Sequence, residues 1–450
     1  MLAAVQLTSL GHACWLIEAA GLRLLCDPLL YVEHHGGVFE ISPRRRLRAE
    51  ALRPDFILVS HRHPDHFDIP SLAALARLDP ESVVVTPDEL VAAAARELGF
   101  CSVQLLLRGH HVELDGVSLV TTESLGEDEW GVMVSTRDGV VWNMVDTVLA
   151  DVAHVRSVTA AALSVLGQSR VDVALVQGQP MLEIAAQMGR SVSFPFRRYA
   201  QVLEQIAAID AAVIVPSATG TVHAPDYAWL NAIVFPIDEG RFCRDIAQMC
   251  PRAQVYPSGL GVRYRLDGGA VVREPDGGEA LVERIPGGDV CAYRPTTIPA
   301  PRDPNTLDAE GRAEIERFIE HDLRDALARA YSEFHVTKPL RFVVEVVYAD
   351  EHRAWTLTIG PDHAEVTLGF TSDWDVLNVL VGSLFADVIA GRRHWGDLLL
   401  GGALRGYSRA YELGPRGLAA APVAEMFVYY ALSYDESTRR AIAWELSGLG

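Results

Sequence analysis

The chain has 450 residues, room for two to three ordinary domains or one large and one small, and 49% of them are hydrophobic, as in a globular protein with a sizeable core. A formal net charge of −20 argues against nucleic acid or an anionic membrane as the main partner, because both select a basic face. No apolar run reaches the ~18–20 residues needed to span a bilayer.

The N-terminal "MLAAVQLTSLGHACWLIEAAGLRLLCDP" lacks a basic start and is broken by Gly and His, so it reads as consecutive strands and not as a signal peptide. Ala19 to Gly21 supply a tight turn within it. The six cysteines (Cys14, Cys26, Cys101, Cys243, Cys250, Cys291) include no C-x-x-C pair, which points to free thiols in a reducing cytoplasm. "DFILVS" is a short apolar run of the kind that makes a buried strand, and "IPSLAALARL" has helical spacing with Pro70 in its first turn. Further strands are expected at "SVVVTP", "VSLVTTES", "WGVMVSTRDG" and "VVWNMVDT". The stretches "VDVALVQG" and "YAQVLEQIAAIDAAVIVPS" add helix-then-strand units, so a layered α/β sandwich is expected over residues 1–290. "VRYRLDGGAVVREPDGG" reads as a hairpin turning at Asp267-Gly268-Gly269. The proline-rich "RPTTIPAPRDPNT" is the best linker, after which residues 306–450 read as a small α+β domain. In that domain a charged amphipathic helix and a strand trio precede "DVLNVLVGSLFADVI", which is apolar nearly all round and reads as a buried helix completing either the substrate pocket or a homodimer interface.

"VSHRHPDHFD" places His61, His63, Asp65 and His66 within six residues, between the "DFILVS" strand and the following helix. Such a loop lies at the carboxyl edge of a sheet, where open α/β sheets carry their sites. Its imidazoles can serve two metal ions and its carboxylate can ligate one of them.

The motif "HRHPDH", preceded by "LGHACWLIEAAGLRLLCDP", resembles the H-x-H-x-D-H signature and opening strands of the metallo-β-lactamase fold. The resemblance implies an αβ/βα sandwich with a dinuclear site between its sheets, a bridging carboxylate at the end of "VVWNMVDT" (Asp146), and a last histidine in "AAVIVPSATGTVHAPD" (His223). Where most zinc hydrolases of this fold carry a further histidine, the sequence reads "TTESLGEDE", making Glu123 the expected ligand and Glu127 its alternative. A carboxylate in place of an imidazole shifts preference from zinc toward iron or manganese.

The runs "VVWNMVDT", "PSATGTVHAPDYAWLN" and "FTSDWDVLNVLVGSLFADVIAGRRHWGDLLLGGALRGY" resemble CMP-N-acetylneuraminate hydroxylase-type proteins. The Cys-x-His and Cys-x-x-His pairs of their Rieske domain are missing. The glutamate also resembles that of diiron β-hydroxylases of the metallo-β-lactamase fold. The implied function is a non-haem diiron oxygenase acting on a polar small molecule, with O2 and an external electron donor. In it two irons (alternatively zinc or manganese) are held by His61, His63 and Glu123 and by Asp65, His66 and His223, with Asp146 bridging; Asp65 and Asp146 are the catalytic carboxylates. The alternative is a dinuclear hydrolase of phosphodiesters, lactones or thioesters. A third reading is a binding module with an incomplete metal site, and the intact motif counts against it. His12 and Asp27 are candidates to orient ligands, His34 and His35 to form a substrate lid, and Arg197 and Arg198 to bind a substrate carboxylate or phosphate.

Overall fold

A computed structural model of the chain describes residues 4–126, 128–177, 181–287, 292–294, 297–333, 338–415, 417–420 and 434–449. Two mixed sheets face each other. In the eight-stranded sheet the order is Ala270–Glu274, Arg263–Asp267, Val5–Ser9, Trp15–Ala19, Leu22–Cys26, Phe56–Leu58, Val83–Thr86 and Ser102–Leu105. Pairing is antiparallel as far as Leu22–Cys26 and parallel beyond it. The seven-stranded sheet runs His111–Leu114, Val117–Thr122, Gly131–Thr136, Gly139–Asn143, Val173–Val176, Val213–Pro216 and Gln254–Val255, switching from antiparallel to parallel at Gly139–Asn143.

Trp15, Ile17 and Leu24 of one sheet meet Val132, Val141 and Leu175 of the other in a common core. The outer faces are covered too. The helices Ile69–Leu78 and Glu89–Glu97 pack on the first sheet, and Val152–Val165, Phe196–Ile209 and Glu239–Met249 pack on the second. Burial on both faces explains why strands such as Val173–Val176 are apolar throughout and do not alternate. The four layers form the metallo-β-lactamase-type αβ/βα sandwich, and an additional α+β region follows it. The start of the Ile69–Leu78 helix follows from its residues: Asp68 accepts from the Ser71 amide, and Pro70 occupies the first turn, where no intrahelical donor is needed.

The additional region carries a five-stranded sheet in the order Ala364–Leu368, His352–Ile359, Leu340–Val347, Val376–Val381 and Leu404–Ser408. Helical segments between Ala309 and Glu333 and the helix Gly382–Ile389 pack on it around Phe342, Trp355, Phe385 and Trp395. The apolar stretch read as a single helix is a strand, Val376–Val381, followed by a helix that begins at Gly382. β-Branched Val376, Val379 and Val381 favour the pleat, and buried positions alternate with half-buried ones. The helix Tyr434–Ser447 returns to the sandwich, where Ile442 and Leu446 pack against the cluster around Leu72 and Leu75. Among the described residues no helix is long and apolar enough to cross a membrane.

Candidate metal centre

The sandwich gathers its chemistry at one end, from loops that follow the strands. The loop after Phe56–Leu58 carries His61, His63, Asp65 and His66, and the loop after Gly139–Asn143 carries Asp146. The turn between the first two strands carries His12, whose backbone has φ +53°. Two trios result, each with its ligand atoms within 4.8 Å of one another: His61, His63 and Asp146, and His12, Asp65 and His66.

Hydrogen bonds behind the rings set their orientation. Asp27 accepts from the Ser60 amide at 2.8 Å and from the Ser60 hydroxyl at 3.0 Å, and its Oδ2 lies 3.0 Å from His66 Nδ1. A carboxylate and a carbonyl only accept, so the proton sits on His66 Nδ1, and likewise on His12 Nδ1, 3.2 Å from the Thr219 carbonyl. Both Nε2 lone pairs therefore face inward. His12 Nε2 lies 3.2 Å from Asp65 Oδ2, and His66 Nε2 lies 3.4 Å from Asp65 Oδ2 and 3.3 Å from Asp146 Oδ2. Among the described residues His66 Nε2 is buried without a hydrogen bond. Acceptors aimed at acceptors in a buried site call for a cation between them, so the donor set fits a pair of metal ions.

The electrostatics agree. Burial would lower the His66 pKa, yet Asp65, Asp146 and Asp27 together raise it well above the usual histidine value. Burial would raise the Asp65 carboxyl, and the surrounding imidazoles hold it well below its usual range. His61 is pushed down by burial and by His66 and His63, with Asp65 opposing them.

The other expected residues fall in different places. Glu123 is not brought to the cluster: its side chain is 66% exposed and lies 3.3 Å from His154, because the strand Val117–Thr122 ends just before it and the chain turns outward. Glu127 lies outside the described residues. The same loop instead turns Glu129 inward, where it is buried, accepts from Ser124 at 2.5 Å and has its pKa raised by burial. His223 is buried on the short strand Thr221–His223, but its Nε2 lies 3.2 Å from the Leu400 carbonyl and its ring 4.5 Å from that of Phe39. The structure thus places His12, expected to orient ligands, beside Asp65 and His66, and turns His223 toward the C-terminal region.

His34 is buried between the rings of His12 and Phe39, and burial holds its pKa well below the usual value. His35 is buried too, with Nε2 3.3 Å from Asp65 Oδ1 and Nδ1 3.4 Å from Asp397 Oδ1. Burial opposes its charge, but these two carboxylates raise its pKa to about 9. Arg197 and Arg198 are both exposed at the start of the helix Phe196–Ile209, and only Arg198 reaches the cavity.

That cavity, about 550 Å³, opens over the two trios. Its polar floor belongs to the sandwich, and much of its apolar wall is Trp395, Leu399 and Leu400 of the helix Trp395–Leu400, with Phe39 and Phe235. Sequence reading missed Glu129, His394 and Asp397. Glu129 had one local signal, its position beside buried Trp130 at the start of the strand Gly131–Thr136. Asp397 had none, since its partner His35 lies in a distant part of the chain.

Residues 6–191 match the Beta-lactamase superfamily domain. The chain is 34% identical over 166 residues to a Mycolicibacterium smegmatis protein described as a Rieske 2Fe-2S iron-sulfur protein; the match covers 33% of this chain and 32% of that one. It is 30% identical over 153 residues to a UPF0173 metal-dependent hydrolase of Salinibacter ruber, covering 32% of this chain and 62% of the relative. The matched segments thus span less than two thirds of either relative. Among solved structures it is similar to CmlA, a diiron beta-hydroxylase from Streptomyces venezuelae, at 17% identity and a TM-score of 0.40, covering 61% of this chain and 55% of that one.

Proposed function

We propose that the protein is a dinuclear metal-dependent hydrolase. The observation that carries this reading is the donor set: four imidazoles and two carboxylates in two trios, with Glu123 outside them. The preference for iron rested on a glutamate ligand, and a histidine-rich set suits zinc as well as iron. The Salinibacter ruber relative, matched over 62% of its length, supports the same reading. His61, His63 and Asp146 would hold one ion and His12, Asp65 and His66 the other, with Asp146, 3.3 Å from His66, also reaching the second. Bound there, two divalent ions supply a water of lowered pKa and polarise an acyl or phosphoryl oxygen.

The chain's own residues do the rest. Thr219 and Asp27 keep the His12 and His66 Nε2 lone pairs turned inward. Gln177 donates to the carbonyl of Thr147, at 3.3 Å, and steadies the loop that presents Asp146. Trp395, Leu399 and Leu400 exclude water and take up an apolar part of the substrate, while Arg198 at the cavity wall can meet an anionic one.

A second reading, a diiron oxygenase, is favoured by Glu129, a buried carboxylate lining the same cavity as Asp146; the Rieske-type relative supports it as well. Metal analysis of protein purified without added zinc, followed by assays of the zinc and iron forms, separates the two. The zinc form is expected to cleave a phosphodiester, lactone or thioester, and Glu129→Gln to leave two metals bound. Oxygen consumption by the iron form given reductant, with no hydrolysis by the zinc form, would replace the hydrolase by the oxygenase.

A further inference from the structure

The two oxygens of Asp65 face different ways. Oδ2 lies 3.2 Å from His12 Nε2 and 3.4 Å from His66 Nε2, on the side where an ion would sit. Oδ1 points away from it, to His35 Nε2 at 3.3 Å. The far side of the His35 ring is met by Asp397, from the helix Trp395–Leu400, with Nδ1 and Oδ1 3.4 Å apart. Among the described residues neither of these two atoms has a hydrogen bond, and both side chains are over nine-tenths buried, so the ion-pair contact is what each has.

The backbone is arranged for this contact. His35 takes φ +52°, a conformation that a residue with a Cβ adopts at a cost. Beside it Gly36 has φ +57°, and a Cβ there would stand 2.9 Å from Asp397 Oδ2 and 3.0 Å from Arg393 Nη1. A side chain at this position would have to displace the Asp397 carboxylate or the Arg393 guanidinium from the contact. Arg393 closes the contact by donating to the Gly36 carbonyl at 3.2 Å.

A carboxylate that must present one oxygen to a metal is held by a hydrogen-bond partner on the other, and such partners act through orientation. We propose that Asp397 is a positioning residue for the metal centre: through His35 it holds Asp65 with Oδ2 turned toward His12 and His66, so that the C-terminal region completes a site whose ligands all lie in the sandwich. The proposal rests on the dinuclear reading above.

Titration of the metal-free full chain with Co2+, followed by d–d absorption, tests it. Wild-type protein is expected to bind two ions. Asp397→Ala should weaken one of them by about 10–100-fold and shift its absorption while leaving the other unchanged, and Asp397→Asn should give a smaller loss. Leu398→Ala, which loosens the same helix from within its own core without touching His35, should lower the melting temperature and leave both affinities in place. Unchanged affinities and spectrum in folded Asp397→Asn or Asp397→Ala protein would overturn the proposal. So would a loss of the same size in Leu398→Ala. Wild-type protein that binds fewer than two cobalt ions would overturn the dinuclear reading and this proposal together.

Discussion

The floor and the roof of the cavity are built on different principles. The floor consists of polar side chains on loops at the ends of core strands, with the His66 ring backed by Asp27 and the His12 ring by the Thr219 carbonyl. The roof is one six-residue helix, Trp395–Leu400, held by apolar packing and facing the floor with Trp395, Leu399 and Leu400. Groups that must meet within a few tenths of an ångström sit on the rigid sheet edge, and groups that only shape and dry the space sit on the added layer. Asp397 is where the two meet.

The sharpest way to break this contrast is to cut the floor. His63→Ala or Asp146→Ala should remove metal from its trio and lower hydrolysis by more than the ~10–100-fold that losing an outer partner costs. The fold should survive, because the cores above and below the sheets do not involve these residues; metal analysis and thermal melting check both halves. Next comes the roof. Trp395 is fully buried and packs edge-on to Phe385 with ring centroids 6.1 Å apart, so Trp395→Ala should cost about 3–5 kcal/mol in denaturant unfolding. Metal content should be largely retained.

A third effect belongs to the roof and appears with pH. His394 accepts from the Gly396 amide through Nδ1 at 3.0 Å and lies 2.9 Å from Thr438 through Nε2. Burial, assisted by His35 and His63 and opposed by Asp397, lowers its pKa from 6.5 to about 4. A depressed histidine pKa means that the folded state resists the proton. Its contribution is therefore whole above about pH 6.5 and is lost as pH falls toward 4, by up to about 3 kcal/mol. His394→Asn keeps a helix-capping oxygen and should flatten that part of the acid loss when urea unfolding at pH 7 is compared with pH 4.5. The smallest effect is expected at Glu123. An exposed pair with His154 contributes ~1 kcal/mol at most, so Glu123→Ala should keep its metal and melt within a degree or two of wild type. Loss of metal in this variant would return Glu123 to the floor.

What could be read along the chain was local. His61, His63, Asp65 and His66 lie on one short loop after a buried strand, so their common destination needed no distant information. Asp146 follows, by three residues, a strand whose apolar run "VVW" marks it plainly. Successive short strands and the DGG hairpin also carried the sandwich, because period, length and turn chemistry are written residue by residue.

Tertiary structure decided what depends on where separate segments meet. Whether Glu123 or Glu129 turns inward is set by where a strand stops and how Trp130 packs. Whether His12 or His223 joins Asp65 and His66 is set by a left-handed turn at the sandwich edge and by the Leu400 carbonyl that engages His223 instead. Apolarity nearly all round made Val376–Val381 read as part of a helix, whereas pairing with Leu340–Val347 makes it a strand. The approach of Asp397 to His35 has no trace in either local sequence, because it exists only once two hydrophobic cores have closed on each other.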